Sequence, residues 1–300
     1  MKIAVIILHY RHLSDTLECL ASLSRQDYSN FEIILIDNGS QDSSVEDAVK
    51  CFPRLLFLKS PINLGFAEGN NVGIRYAIER GAEGILLLNN DTTSSPQLLS
   101  VFAQSAQTFP EAGVFGAKIF FYDDPTVIWH AGGNVNLANL RCYHEGCLTS
   151  DLEKKWDEVR QINYACGCAL FIKSSVIKKV GLMSSDFFLI WEEIDWCWRI
   201  RKAGFQCLYI PQAKVWHKIS QSFEGGNRGP LWHYYYFRNR LLFLKRNLPL
   251  TKRFHFYLTV FPKELIQLIY CSLNPTANNL QKRLHQSTLK GIYHYFLNRF

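Results

Sequence analysis

This chain of 300 residues is notable first for what it lacks. It contains no C-x-x-C pair, no G-x-G-x-x-G fingerprint and no G-x-x-x-x-G-K-[ST] loop. Those absences argue against a paired-cysteine zinc site, a dinucleotide-binding dehydrogenase and a P-loop ATPase. The nine cysteines are odd in number and scattered, which points to free thiols in a reducing compartment. Cys142, Cys147, Cys166 and Cys168, with His144 nearby, come nearest to a zinc set, but without the paired spacing. There is no internal repeat and no low-complexity stretch. Met1-Lys2 runs directly into Ile3–Leu8 with no small-residue cleavage pattern, so the expected location is cytoplasmic. Acids are nearly missing from one region: from Arg228 onward there are twelve Lys and Arg against one acid, Glu264. That is a balance of +11, and because the whole chain is +7 it leaves −4 on the first 227 residues. A basic, aromatic tail follows a mildly acidic body, and such a tail suits an anionic surface.

What is present reads as an α/β protein. A hydrophobic content of 48% with 20% charged residues supports a sizeable core. Over the first ~120 residues strands and helices alternate at short spacing, the pattern of a mostly parallel sheet. Strands are expected at Ile3–Leu8, Phe31–Ile36, Leu55–Leu58, Ile85–Leu88 and Val114–Phe121. Helices are expected at Ser14–Ser24, after the Ser43/Glu46 capping pair, at Ala67–Glu79 and at Pro96–Thr108, the last capped by Ser95-Pro96. The middle suggests hairpins around Gly132-Gly133 and Gly146, then strand character over Tyr164–Lys173 and a helix over Glu192–Lys202. Helices separated by Pro249, Pro262 and Pro275 follow Arg228.

Chemistry-bearing residues cluster at strand ends and helix starts. Asp91 closes the apolar run GILLLNND, at the carboxyl end of a buried strand where open α/β sheets bind ligands. A hard cation with a phosphate is its natural partner. Asp37, with Asn38, ends the second strand. It reads equally as a turn former and as an acceptor for a nucleobase imide or ribose hydroxyl. Asn63, Gly65 and Asn70 lie in NLGFAEGNNVGI, where small and amide residues open a helix and let backbone N–H groups approach a nucleotide. Glu192, Glu193 and Asp195 are three acids within four positions. A solvated helix start is one reading; the aromatic neighbours Trp191, Trp196 and Trp198 argue instead for a partly enclosed acidic cleft, where a carboxylate can act as general base. Asp195 also stands four residues before Arg199, the spacing of an ion pair. A lone His is more often structural than a ligand; as a ligand, His217 at a strand end would add a nitrogen donor to the site around Asp91.

In their order, these five segments resemble glycosyltransferase family 2, the enzymes of the GT-A fold, and most of all its rhamnosyltransferase-like bacterial branch. The resemblance covers about residues 2–246. It implies a GT-A catalytic domain over 1–227, with a nucleotide-binding half at about 1–120 and an acceptor half at about 121–227, and a helical extension over 228–300. It further implies that Tyr10, Asp37, Asn38, Asn63, Gly65, Asn70, Asn89 and Asn90 face the donor, and that Asn89-Asn90-Asp91 replaces the family's D-x-D motif. Asp91 and His217 then hold Mg²⁺ or Mn²⁺, Glu193 is the catalytic base beside Glu192, and Trp191, Asp195 and Arg238 face the acceptor. Three departures stand out: Asn89 replaces the first acid of the motif, the usual Glu-Asp pair is Glu-Glu, and the first strand ends His9-Tyr10-Arg11 rather than Tyr-Asn.

The implied reaction is inverting transfer of a sugar, such as rhamnose, from a UDP- or dTDP-sugar. The acceptor is a hydroxyl of a glycan or lipid-linked oligosaccharide in cell-surface polysaccharide synthesis. A nucleotidyltransferase is the alternative, and it would want a basic phosphate loop for which His9-Tyr10-Arg11-His12 is a weak substitute. Nucleic-acid binding fits the acidic body badly. For the tail two readings stand open: an interfacial segment on anionic lipid, or a helical cap on the catalytic domain. Its apolar stretch, Phe254–Leu273, is too interrupted to span a bilayer.

Overall fold

The computed structural model describes residues 1–40, 45–46, 50, 52, 55–219, 228–272 and 278–299. Ser43 of the expected capping pair and Pro275 lie outside the described residues.

A ten-stranded mixed sheet forms the centre. Its first half comprises β1 (Ile3–His9), β2 (Phe31–Asn38), β3 (Leu55–Ser60) and β4 (Gly84–Asn89), all parallel in the order β3-β2-β1-β4. Period-two alternation sends Ile3, Val5 and Ile7 to one apolar cluster and Ala4 and Ile6 to the other. Leu86 and Leu88 part from Ile85 and Leu87 in the same way. A strand buried on both faces must be apolar throughout, which explains the unbroken runs in the sequence. Helices α1 (Leu13–Leu23) and, further on, α3 (Leu98–Thr108) cover one face, and α2 (Gly65–Glu79) covers the other.

After β4 comes β5 (Thr92–Ser94), a strand of three residues that the sequence reading did not anticipate. It pairs with β12 (Gln206–His217), so α3 begins at Leu98 rather than Pro96, and Ser95 donates its N–H to the Lys214 carbonyl at 3.0 Å. β6 (Ala112–Phe121) runs parallel to β12, and β11 (Ala169–Lys173) is antiparallel between β6 and β4. β11 is shorter than the expected Tyr164–Lys173 strand because the chain turns at Cys166, whose carbonyl accepts from Ala169 N–H. Short strands β7 (Ile128–His130) and β10 (Arg160–Gln161) join β6 and β12. β8 (Gly133–Asn136) and β9 (Arg141–His144) form a separate hairpin, with Gly133 paired to His144 at its base.

Helices α4 (Ser174–Val180) and α5 (Glu192–Lys202) precede β12. Beyond it lie α6 (Pro230–Asn247), α7 (Leu250–His255), a π-helical turn (Phe256–Val260), α8 (Phe261–Ser272) and α9 (Asn279–Phe296). Pro249 caps α7, and Pro262 sits in the first turn of α8, directly after the π-helical turn. Leu241–Leu244 of α6 belong to the same apolar cluster as α2 and α5. α9 crosses α6 closely at Gly291, where a Cβ would lie 2.3 Å from the Tyr234 carbonyl oxygen. No described helix is long and apolar enough to cross a membrane.

Candidate active site

Two strand registers build the first part of the site. Asp91 follows β4, and the β5–β12 register sets Thr92 opposite His217. The Lys218 N–H donates to the Asp91 carbonyl at 3.0 Å, which fixes the two chains side by side. His217 Nε2 then stands 3.1 Å from Asp91 Oδ1, with both residues about 5% exposed. Asp91 Oδ1 and both ring nitrogens of His217 are buried without a hydrogen-bond partner among the described residues. Burial pushes the Asp91 carboxyl up, but His217 and the Asn89 amide outweigh it and hold the acid below its ordinary value. The result is a buried anionic oxygen beside an imidazole nitrogen, a donor pair that fits a divalent cation completed by phosphate oxygens. Among the described residues no group of three or more His, Cys, Asp and Glu is placed to hold a metal, so further ligands must come from substrate or water.

The second part depends on a strained loop. Phe188, Ile190 and Trp191 all have positive φ (51°, 67° and 79°), which side chains disfavour by about 1–3 kcal/mol each. The neighbouring elements hold them there. Asn239 of α6 donates its amide to the carbonyls of Phe187, Leu189 and Ile190 at 2.7–2.8 Å. Arg238 donates to the carbonyls of Asp186 and Phe187 and to Asn239 Oδ1. From the other side, the Phe66 N–H reaches the Phe188 carbonyl, and a Cβ on Gly65 would lie 2.5 Å from that oxygen. The loop delivers Trp191 as the left-handed cap of α5 and Glu192 and Glu193 as its first two residues.

Both glutamates are pushed upward. Burial raises Glu193 to about 7, with its own N–H and that of Ile194 limiting the rise. Glu192 goes well above its ordinary value, first by burial and then by the charge of Glu193. One buried acid of the pair therefore keeps its proton while the other titrates near neutrality, which suits a general base.

Asp91, His217, Asn89, Trp191, Glu192 and Glu193 all line one cavity of ≈ 1170 Å³. Trp232 and Tyr236 of α6 stack at 4.5 Å in its wall, with Trp191 5.9 Å from Tyr236. Other expected residues lie outside the lining. Asp195 is bonded to Arg199 (2.8 Å) and Asn247 (2.7 Å), and Arg238 braces the loop, so neither reaches the cavity. Asn38 bonds Asn63, Leu64 and Gly65, Asn63 accepts from Gly65, and Asn70 bonds the Phe66 carbonyl: these amides build the turn into α2. Asn90 donates to Thr16. Tyr10 lies under the Arg11 guanidinium at 5.0 Å. Asp37 is buried, accepts from Ser40 N–H through Oδ1 and leaves Oδ2 unbonded. His144, named from the sequence only beside the scattered cysteines, also lines the cavity, and sequence reasoning missed Trp129, Trp232 and Tyr236 in its wall. The i, i+4 spacing of the last two was the one available signal.

The chain is similar to known proteins in sequence and in fold. Residues 4–180 match the family model described as glycosyl transferase family 2. An N-acetylglucosaminyl-diphospho-decaprenol L-rhamnosyltransferase of Mycobacterium tuberculosis is 25% identical over 68% of this chain and 71% of its own. A dTDP-rhamnosyl transferase of Shigella flexneri is 23% identical over 81% and 80%. Among solved structures, a mannosyltransferase from Pyrobaculum calidifontis in complex with GDP-Man and Mn²⁺ aligns with a TM-score of 0.61 at 11% identity, over 100% of this chain and 88% of that one. GalNAc-T7 with UDP, GalNAc and Mn²⁺ aligns at 0.64 and 13% identity over 99% of this chain, which spans only 56% of that protein.

Proposed function

The chain belongs to glycosyl transferase family 2, and from that premise we propose that its cavity transfers a sugar from a UDP- or dTDP-sugar to an acceptor hydroxyl with inversion. It is a glycosyltransferase of GT-A fold. Relatives named for rhamnosyl transfer and for poly-β-1,6-N-acetyl-D-glucosamine synthesis support a role in cell-surface polysaccharide synthesis, with rhamnose the favoured sugar.

One observation carries the mechanism: a carboxyl near neutrality, Glu193, and a carboxylate held ionised, Asp91, share one cavity. An acceptor hydroxyl gives its proton to Glu193 as its oxygen bonds to the anomeric carbon. The bond from that carbon to the diphosphate oxygen breaks on the opposite face, and the nucleoside diphosphate leaves. Asp91 and His217 would hold Mg²⁺ or Mn²⁺, which when bound supplies positive charge against the leaving diphosphate. Asn89 in place of a second acid leaves a single carboxylate there, so cation binding leans on the donor's own phosphates. Trp191, Trp232 and Tyr236 offer aromatic faces to an acceptor saccharide. Protonated Glu192 donates rather than accepts.

The tail favours an anionic membrane surface. Leu250, Phe254 and Leu258 are exposed at i, i+4 and i+8, with exposed Lys252 beside them. This is an apolar stripe with flanking base, as in interfacial helices. Incubating the protein with a panel of nucleotide-sugars, with and without Mn²⁺, tests the reading. Release of free UDP or dTDP, dependent on acceptor, is expected; pyrophosphate release from a nucleoside triphosphate would replace it with the nucleotidyltransferase alternative.

A further inference from the structure

α8 has the sequence FPKELIQLIYCS, yet none of its residues is buried. Its apolar side chains divide between two faces. Ile266 and Tyr270 point outward, 68% and 77% exposed. Phe261, Leu265 and Leu268 turn inward and line the same cavity as Glu193 and Asp91. Leu241 of α6, Phe256 and Ile292 of α9 supply the facing walls of this arm. At ≈ 1170 Å³ the cavity exceeds the ~300–1,000 Å³ usual for small-molecule sites. Its wall also carries the Arg240–Glu264 ion pair, 2.7 Å between α6 and α8, beside those apolar side chains.

Imidazoles and one guanidinium lead from the catalytic end into this arm. His144 lies within electrostatic reach of both His217 and Arg228, and His233 within reach of both Arg228 and His285. All five line the cavity. His285 Nδ1 is buried without a hydrogen-bond partner among the described residues, and His233 Nδ1 meets Thr288 Oγ1 at 3.3 Å. A passage of imidazoles around one fixed cation, Arg228, joins a polar, acid-bearing end to one with many apolar side chains. That distribution matches a molecule with a sugar at one end, an anionic linker and a hydrocarbon chain.

We propose that the arm between α6, α8 and α9 holds the hydrocarbon chain of a lipid-linked acceptor, with its phosphate linker beside Arg228, His233 and His285. This rests on the glycosyltransferase reading for the sugar end alone. The outward apolar face of α8 rests on the bilayer from which the chain enters, so both faces of the helix are desolvated by lipid rather than by protein.

Straight-chain alkyl phosphates from butyl to dodecyl, kept below their aggregation limit, provide the probe. They are titrated against the full chain by tryptophan fluorescence. Affinity is expected to rise at least about tenfold from four to twelve carbons, a small part of what eight buried methylenes yield. Leu265→Glu and Leu268→Glu should erase that dependence; both positions lie in a helix without buried residues, and circular dichroism checks the fold. Arg228→Ala with His285→Ala should weaken all chain lengths alike. Affinity indifferent to chain length overturns the proposal. So does dependence that survives both leucine variants, or dependence lost in Ile266→Ser/Tyr270→Ser, which would put the chain on the outer surface. UDP- and dTDP-sugar titrations on the same samples separate the readings. Alkyl-phosphate binding without donor binding would count against glycosyl transfer, and the reverse against the lipid arm.

Discussion

The two ends of the cavity carry the same functional group under the same burial, in opposite states. At the strand end, Asp91 is held ionised because an imidazole and an amide stand beside it. At the helix end, Glu192 and Glu193 have mainly each other and the first N–H groups of α5, and both are driven upward. Burial alone predicts the raised glutamates but not the ionised aspartate, where the neighbours reverse the sign. The supports differ as well. Asp91 and His217 are set by strand registers that admit little adjustment, whereas the glutamates hang on three left-handed residues braced from α6 and α2.

Removing the base should break the comparison most severely. Glu193→Gln is expected to lower turnover by ~10²–10⁴-fold, the usual contribution of a general base, while thermal shift by the donor persists. In the unaltered protein turnover should fall as pH drops through about 7, because Glu193 must be ionised to accept the proton. A pH–rate profile flat between pH 5.5 and 8.5 would remove Glu193 from that role. Next comes the other acid. Asp91→Ala should weaken donor affinity by about tenfold or more, equivalent to ~1.4 kcal/mol, and abolish the response of that affinity to Mn²⁺. Calorimetric titration with and without the cation reads both, and an unchanged Mn²⁺ response would move the metal elsewhere.

A smaller effect probes the difference in support. Asn239 donates to three carbonyls of the loop, so Asn239→Ala frees residues whose positive φ angles cost energy to maintain. Turnover should fall about tenfold with donor affinity little altered, since Asp91 and His217 are fixed independently. The midpoint of the pH–rate profile should also move below its original position as water reaches the acids. A lower rate with an unmoved midpoint would mean that the amide stabilises the fold without poising the base.

The same contrast explains what the sequence made legible. The doubly buried strands announce themselves as apolar runs, and Asp91 is conspicuous because a polar residue ends one. Glu192 and Glu193 stand out among tryptophans. Expectation strayed where a residue's role depends on a partner distant in the chain. Asn38, Asn63 and Asn70 look like nucleotide ligands from their neighbours, but their amides close the turn into α2. Gly65 is required by the Phe188 carbonyl, 123 positions away. β5, at three residues, carries too short a pattern to be read, although it is what brings His217 to Asp91. Arg238 looked like an acceptor ligand because nothing local shows that the carbonyls of 186 and 187 would use its guanidinium.

The mildest change isolates the proton on Glu192. Burial, then the charge of Glu193, keeps that carboxyl protonated well above its ordinary value of 4.5. Above pH ~4.5 the unfolded chain releases this proton while the native protein retains it. The native state then binds more protons, so stability declines as pH rises through that window. Glutamine has nearly the shape of the protonated acid and cannot ionise. Glu192→Gln should therefore cost less than about tenfold in turnover. Its melting temperature should match that of the unaltered protein at pH 4 and exceed it by a growing margin toward pH 8. Thermal melts across that range read the margin directly. A difference that stays constant with pH would show that Glu192 does not hold its proton, and that the helix end resembles the strand end after all.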